Sequence, residues 1–264
     1  MKHFIYADNA ATTKLDKDAF NAMLPWLQEE YGNASQPYSF ARKPKKALME
    51  ARTLIAECIG AQPDEIYFTS GGTESDNWAI KGIAEKGKKH HTIATQIEHH
   101  AILNACRRLS SFADGGAQEF HKRAGTENIA SIVGMSIALK KSCDEMEKVN
   151  KKLLALDEAF NNVLLKSKID FIRNGSNNHV SGNINLSIRR TSGEMLLHRL
   201  DLMGICISTG SACDSVNTEV SHVIKAIGVP SEYSEGTIRI SFGRDNTEED
   251  AIMIANALVK VIKG

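Results

Sequence analysis

The chain has 264 residues, enough to bury a large hydrophobic core in one large domain or two modest ones. Its 32 basic and 32 acidic residues cancel, so no global charge favours nucleic acid or an anionic membrane, and small molecules or proteins are the expected partners. No apolar run approaches the roughly 18 residues of a membrane span and the start lacks a signal peptide's apolar segment, so we expect a cytoplasmic protein.

The first half of the chain predicts helices and one β-α-β unit. Apolar residues at helical spacing predict helices over residues 16–30, 44–58 and about 101–109. Residues 65–70 and 91–95 predict two strands, and a helix that follows a pair of glycines connects them. A connection of this kind favours parallel pairing of the two strands.

The second half predicts a long helix and then a separate α+β unit. The helical pattern runs from about residue 128 to about residue 166, and a turn follows at 174–178. Strands and helices then alternate. The strands are predicted over 183–188, 204–208 and 236–243, and the helices over 192–201, 218–228 and 246–264. We place a domain boundary near Thr126, which gives domains of residues 1–126 and 127–264.

The turn after the first predicted strand could bind a phosphate. Gly71 and Gly72 would let backbone amides approach a ligand closely, and Thr73 would begin a helix whose free N–H groups attract anions. Asp76 would complete a capping box with Thr73. An ordinary capped turn explains the same residues, because neither a dinucleotide-binding glycine pattern nor a phosphate-binding lysine motif is present.

His99 and Arg239 each have two interpretations. His99 follows the second predicted strand, at the edge where open α/β sheets place ligands, but it could equally cap a helix or lie at the surface. Arg239 alternates with Ile238 and Ile240 along a strand, so its guanidinium could bind a carboxylate. The alternative is an exposed charge on an edge strand.

The five cysteines are odd in number, scattered and without a C-x-x-C pair. This pattern argues against a disulfide framework and a zinc site and indicates reduced thiols, so we expect no metal. Cys206 lies in an apolar segment that predicts core. Cys213 follows Gly210 in a run of small residues, which suits an exposed loop, but no sequence neighbour would obviously lower the pKa of its thiol. From the residues alone, an inert thiol and a nucleophile both remain open.

Seven motifs follow the order of a known family. They are YADNAATT, YGNASQPYSFAR, EIYFTSGGTESDNWAIKG, EHHAIL, GGAQEFHKRAGTENIASIVG, GSAC and TIRISFGRDNTEED. In this order they resemble the cysteine desulfurases of the NifS/IscS type, within the class-V aminotransferase family. The resemblance covers both ends of the chain and favours the functional interpretation at each position above.

The resemblance implies a pyridoxal-phosphate (PLP) protein of fold type I, a homodimer that takes sulfur from L-cysteine, yields alanine and holds the sulfur as a persulfide. Its PLP site would include Gly72 and Thr73 at the phosphate, and His99 stacked on the ring. Thr126 would reach the phosphate bound by the partner subunit. A sulfur-acceptor or scaffold protein would be a further partner, as in iron-sulfur cluster assembly.

The same resemblance implies a substrate side. Arg239 would bind the substrate carboxylate, and Asn9 and Asn33 would line the site. Cys213 would be the catalytic nucleophile, because cofactor-bound cysteine presents an electrophilic sulfur to its thiolate.

The sequence departs from the family between CRRLSSFA and DGGAQE. The family has a long stretch there that holds the aspartate beneath the cofactor ring and the Ser-x-His-Lys loop, whose lysine forms the Schiff base. His121-Lys122 is not this loop, since it aligns with the family's arginine-containing loop. PLP binding could therefore be lost.

We expect residues 1–126 to be a truncated remnant of the fold type I large domain and residues 127–264 to be the small α+β domain, with the long helix linking them. Two strands alone are marginal, so dimerisation or strand exchange would have to cover their edges. Two functions remain open. One is a desulfurase descendant that cannot perform PLP chemistry alone, and the other is a non-catalytic paralogue that acts as a binding or assembly protein.

Overall fold

The computed structural model describes residues 4–37, 39–84, 93–107, 126–176, 178–209 and 220–264. The chain divides into two compact units, Leu15–Glu145 and Met1–Lys14 with Met146–Gly264. This division falls at residue 145, because the helix after Thr126 packs against helices of the first unit, and the domain boundary near Thr126 stays a prediction. That these units correspond to a truncated large domain and a small domain stays a prediction.

The Leu15–Glu145 unit is helical in the part that the structure describes. Its helices are α1 (Lys17–Gln28), α2 (Arg42–Ile59), α3 (Gly72–Ala84), α4 (His100–Arg107) and α5 (Ile129–Asp144), with short 3₁₀ helices at Ser39–Ala41 and Pro63–Glu65. Helix α5 packs against both α1 and α2, and α3 packs against α4. Apolar side chains of α2 and α5 share one cluster, formed by Ala47, Leu48, Ala51, Ile55, Ile129 and Ile132 with others.

Neither of the two strands predicted in this unit forms in its described residues. Residues 66–69 and 93–95 have no strand pairing, while residues 91 and 92 lie outside the described part. Phe68 is nevertheless buried and packs in the cluster of α2 and α5. A strand needs a hydrogen-bonded neighbour, and a pair of strands without further partners is only marginally stable. Apolar burial alone therefore does not make this segment a strand, because no described strand lies beside it.

The long predicted helix is two helices. Helix α5 ends before Glu145, whose ψ of 2° departs from helical geometry, and α6 (Met146–Ser167) follows. The two helices pack against different partners, since α5 contacts α1 and α2 whereas α6 contacts the C-terminal helix.

The second unit is an α+β structure, as predicted. Its strands are β1 (Ile5–Tyr6), β2 (Phe171–Arg173), β3 (Asn183–Ile188), β4 (Ile205–Cys206), β5 (Ser208–Thr209) and β6 (Thr237–Ser241). Its helices after α6 are α7 (Gly193–Leu202), α8 (His222–Ala226), α9 (Ser231–Ser234) and α10 (Glu248–Lys263). The main sheet is antiparallel in the order β2-β3-β6-β5, and β1 pairs in parallel with β4.

The core of this unit lies between the sheet and its helices. Helix α10 packs against α6 and α7. The side chains that are fully buried there include Leu156, Phe160, Leu196, Leu200, Ile238, Ile240, Ile254 and Leu258. Burying each such side chain contributes roughly 1.5–3 kcal/mol. The pairing of β3 with β6 follows from two runs rich in isoleucine, and it places Arg239 in the interior of the sheet.

Candidate functional site

The start of helix α3 differs from the predicted cap. Because the helix begins at Gly72, Thr73 lies inside its first turn, and the predicted capping box of Thr73 with Asp76 is wrong. The carboxylate of Glu74 instead accepts hydrogen bonds from the backbone N–H of Ser70 at 2.6 Å and from its hydroxyl at 2.7 Å. Glu74 therefore closes the turn that precedes the helix.

The glycine turn leaves room for an anion. A Cβ atom added at Gly71 or at Gly72 would meet nothing within 4 Å, so neither glycine is required by packing against the protein. The N–H groups of Gly72 and Thr73 donate to no other described residue, as is usual in the first turn of a helix. Free amides at a helix N-terminus are suited to bind phosphate or a carboxylate.

Thr73 and His99 line the same cavity, which lies between α3 and α4 and has a volume of about 460 Å³. His99 precedes α4, and its Nδ1 accepts a hydrogen bond from the N–H of Ala101 at 3.2 Å. The helix-capping interpretation of His99 is therefore confirmed, and its ring nevertheless faces the cavity together with Thr73.

Two residues of this cavity were missed by the sequence analysis. Asn77 and Lys81 lie four and eight residues after Thr73 on α3, and both line the cavity. Residues at that spacing share one face of a helix. The spacing could therefore have identified them once Thr73 was a candidate.

Arg239 occupies the inner strand β6, between β3 and β5, so the interpretation as an edge-strand charge is wrong. Its Nη2 donates to Oδ1 of Asp8 at 2.8 Å, and the Arg239 side chain is only 26% exposed. Its Nε is buried and has no hydrogen-bond partner among the described residues. Asp8, which the sequence analysis did not single out, therefore holds one end of the guanidinium.

Asn9 lies beside Arg239 in the same unit. Its Nδ2 donates to the carbonyl oxygen of Ser241 at 3.0 Å and to Oδ1 of Asn246 at 3.4 Å. These bonds attach the N-terminal segment to the end of β6. The amide of Asn9 has a structural role in this arrangement, and contact with a substrate stays a prediction.

Asn33 and Thr126 do not line the cavity in the described part of the unit. Oδ1 of Asn33 accepts from the N–H of Ser35 at 3.0 Å and so closes a local turn. Thr126 is exposed and precedes α5. The next residue, Glu127, accepts from the hydroxyl of Ser35 at 3.5 Å, which brings the two segments together.

Cys213 lies outside the described residues, as does Lys122. The structure does describe the strand that precedes Cys213, because β5 pairs with β6 and Ser208 is opposite Arg239. Cys213 follows Ser208 by five residues in the sequence.

Comparisons with known proteins show the family. The sequence profile of the family described as aminotransferase class-V matches residues 5–120 and 113–253. The chain belongs to this family. A cysteine desulfurase IscS from Dictyoglomus turgidum is 32% identical over 378 positions, covering all of this chain and 95% of that protein. One from Methanosarcina thermophila is 31% identical, covering 98% of this chain and 92% of that protein.

Solved structures confirm the fold. A NifS-like protein matches with a TM-score of 0.90 at 21% identity, over 99% of this chain and all of that one. A NifS-like protein from Rickettsia africae matches with a TM-score of 0.83 at 20% identity, over 99% of this chain and all of that one. The predicted membership of the NifS/IscS-like cysteine desulfurases is therefore confirmed, as is the shortened fold of the PLP-dependent type: the chain has 264 residues, well short of those 378 aligned positions.

The described residues fit one end of the PLP that this family uses. The open glycine turn and the amides of Gly72 and Thr73 fit a phosphate. No aspartate or glutamate lines the described cavity, so its walls lack the carboxylate that would keep a pyridine nitrogen protonated. Lys81 lies about 12 Å from Thr73, measured along the axis of α3. Among the described residues, donors for the phosphate end are therefore present and a carboxylate for the ring end is not.

The described residues contain neither a candidate membrane span nor a candidate metal site. No helix among them combines the length and apolar character needed to cross a membrane. None of their histidine, cysteine and acidic side chains form a group of three that could hold a metal ion.

Proposed function

We propose that this cysteine desulfurase homologue carries sulfur from L-cysteine as a persulfide on Cys213 and cannot perform the PLP chemistry alone. The observation that carries the proposal is the combination of a fitting phosphate end with a cavity that has no acidic side chain among its described residues. Activation of the carbon–sulfur bond of L-cysteine would then require a partner chain or sequence that this chain lacks.

The division of the family match supports the loss of a central stretch. The two matched segments meet at residues 113–120, close to the point where the sequence departs from the family. The alignment with the D. turgidum protein runs over 378 positions, whereas this chain has 264 residues, so over one hundred positions have no counterpart. A gap of this size could contain the Schiff-base lysine and the ring-binding aspartate.

The position of Arg239 supports the sulfur-carrying half of the proposal. A carboxylate bound by Arg239 would lie beside Ser208, which precedes Cys213 by five residues in the sequence. When PLP is bound in the family, it withdraws electrons and makes the sulfur of cysteine electrophilic. In this chain, Arg239 would orient the carboxylate, Asn9 and Asn33 would line the substrate side, and Cys213 would receive the sulfur atom.

The quaternary arrangement is part of the same proposal. Two copies would associate, and Thr126 of each would approach the phosphate site of the other, at Gly72, Thr73 and His99. A sulfur-acceptor or scaffold protein would take the sulfur from Cys213. The four described cysteines are free thiols, which suits a reducing compartment such as the cytoplasm.

The second candidate is a non-catalytic binding or assembly protein in sulfur transfer. The cavity favours it over an intact enzyme, because its described walls lack a ring-binding carboxylate. The two candidate functions make different predictions about the reactivity of Cys213, because a protein that only binds or assembles other proteins does not need a reactive thiol there.

Persulfide mapping separates the two candidates. The full chain is incubated with a small-molecule persulfide, and the five cysteines are quantified by mass spectrometry. The Cys213 thiolate should attack the terminal sulfur and release the donor thiol, so Cys213 should be labelled before the other four. A Cys213→Ser variant should lose this early label, and a Cys106→Ser control should keep it. Early labelling of another cysteine would favour the assembly protein.

A further inference from the structure

A row of polar residues crosses the main sheet at Arg239. Asn185 on β3 lies opposite Arg239, and Ser208 on β5 lies opposite Arg239 on the other side. Asn174, just after β2, extends the row, because its N–H donates to the carbonyl oxygen of Asn185 at 2.9 Å. Directly opposite residues of antiparallel strands project from the same face of the sheet, with Cβ atoms about 4.5–5.5 Å apart. The side chains of Asn185 and Arg239 are therefore immediate neighbours.

Asn185 and Arg239 are both partly exposed on this face of the sheet. Residues two positions away along a strand, and those directly opposite, share the same face. The hydroxyl residues that adjoin the pair in this way are buried, namely Ser187, Thr237, Ser208 and Ser241. The opposite face of the two strands carries isoleucine and leucine side chains of the core. A ligand that approaches the polar face at this point therefore meets the amide of Asn185 and the guanidinium of Arg239.

A hydrogen-bond chain fixes the orientation of the Asn185 amide. Nδ2 of Asn174 donates to Oδ1 of Asn185 at 2.6 Å and to Oγ of Ser187 at 2.7 Å. The hydroxyl of Ser187 is in turn hydrogen-bonded to that of Thr237 at 2.7 Å. The amide oxygen of Asn185 is thus occupied, whereas its Nδ2 donates to no other described residue. An amide nitrogen carries two N–H donors, so Asn185 offers donors and not an acceptor to a ligand.

The guanidinium beside Asn185 also has donors to spare. Asp8 accepts from Nη2 of Arg239, while its Nε is buried without a hydrogen-bond partner among the described residues. A guanidinium carries five N–H donors, so the one bond to Asp8 leaves it able to bind a second acceptor. Two neighbouring side chains that both offer N–H groups are suited to an anionic acceptor.

We propose that Asn185 is a substrate-binding residue, whose Nδ2 donates to the carboxylate that Arg239 binds. This inference rests on the proposed function, because that function assigns the substrate carboxylate to Arg239. Donors on two neighbouring strands would hold both oxygens of the carboxylate. They would also disfavour a ligand with a neutral amide in its place, because an amide nitrogen donates and cannot accept.

The test is an NMR titration of the isotope-labelled full chain with L-alanine, which has the carboxylate of L-cysteine without its thiol. The signals followed are the Nε–H of Arg239 and the side-chain amide of Asn185, each assigned by its loss in Arg239→Gln or Asn185→Asp. We expect both wild-type signals to shift with the same dissociation constant. L-Alaninamide should bind at least about tenfold more weakly, because it lacks the carboxylate.

Asn185→Asp is the sharpest variant, because it keeps the acceptor for Asn174 and replaces only the free donor by a carboxylate oxygen. It should weaken L-alanine binding at least about tenfold and bring the affinities for L-alanine and L-alaninamide within about threefold. The matched control is Asn183→Asp, an exposed position two residues earlier on the same face of β3. Its charge lies about 7 Å farther along the strand, so it should weaken binding about threefold or less.

The outcomes separate this inference from the proposed function. A wild-type titration that moves the Arg239 signal and leaves the Asn185 amide signal in place would overturn the role of Asn185 alone, and it requires no variant to fold. Equal losses of affinity in Asn185→Asp and Asn183→Asp would do the same. L-Alanine binding that persists in Arg239→Gln, or no binding to the wild type, would instead overturn the carboxylate-binding role of Arg239 in the proposed function, and the inference with it.

Discussion

Arg239 and Asp8 form an ion pair in which the guanidinium donates from Nη2 to the carboxylate at 2.8 Å. The two side chains are 26% and 17% exposed, so both are largely removed from water. A substrate carboxylate that binds Arg239 would meet a guanidinium already held at one end by Asp8. Asp8 therefore holds one end of the guanidinium, and we propose that the rest of it is positioned for a second carboxylate.

This pair should be coupled energetically. Arg239→Gln leaves the Asp8 carboxylate without its cation and should lower the free energy of unfolding by about 1–3 kcal/mol. A double-mutant cycle with Asp8→Asn, measured by urea unfolding, should give a coupling energy of about 1 kcal/mol or more. The matched control is the exposed pair Lys46 and Glu50, whose coupling should stay below about 0.5 kcal/mol. Equal coupling in both pairs would contradict the positioning role of Asp8.

Glu74 should compete with anions at the start of α3. Its carboxylate binds Ser70 just before the helix, close to the amides of Gly72 and Thr73. Glu74→Gln should raise the affinity for inorganic phosphate about fivefold, which corresponds to about 1 kcal/mol of charge repulsion at about 4 Å in water.

The measurement is a phosphate titration followed by the NMR signals of the Gly72 and Thr73 amides. Glu50→Gln, on the surface of α2, should leave the affinity unchanged. If the two amide signals do not move in either protein, the start of α3 is not an anion site.

Cys206 should react slowly with alkylating reagents at mildly alkaline pH. Burial, and then the negative charges of Asp201 and Asp8, raise the pKa of its thiol. The native chain therefore keeps this proton to higher pH than the unfolded chain. The neutral thiol's contribution to stability is present below the unfolded pKa of about 8.5 and is lost as pH rises through the folded value.

The measurement is the iodoacetamide reaction of Cys206 at several pH values, quantified by mass spectrometry. The midpoint of the rate against pH should lie above that of the urea-unfolded chain. Asp201→Asn should move the native midpoint downward, because it removes the negative charge that raises the pKa of Cys206 more than Asp8 does. A native midpoint at or below the unfolded one would show that burial does not control this thiol.

Strands were predicted correctly from the sequence where the fold supplies a long partner strand. The runs around Ile184 and Ile238 were predicted as strands and do pair, since each has a long partner in the same sheet. The apolar segment that contains Phe68 has similar composition but forms no strand with the described residues, because strand formation depends on a neighbouring strand that no local pattern reports. Strands β1 and β2 were missed because two or three residues give no measurable alternation.

The candidate site, like the fold, was predicted from the sequence only in part. Thr73 and His99 come together, as the resemblance implied, and the pairing of Ser208 with Arg239 places the carboxylate-binding candidate beside the segment that leads to Cys213. The ion pair of Arg239 with Asp8 could not be read from spacing, because the two residues are 231 positions apart. Cys206 was predicted as core and is only partly buried, since it lies at the end of the short strand β4.

The most direct test of the central claim is a cofactor and product assay on the purified chain. The chain is incubated with PLP and L-cysteine, alanine is quantified, and a parallel sample with PLP is reduced with borohydride so that pyridoxyl-lysine can be mapped. The D. turgidum desulfurase serves as the positive control. We expect no alanine above the protein-free blank and no lysine, Lys81 included, modified in stoichiometric amount. Alanine released in proportion to protein, with pyridoxyl on one lysine, would contradict the account.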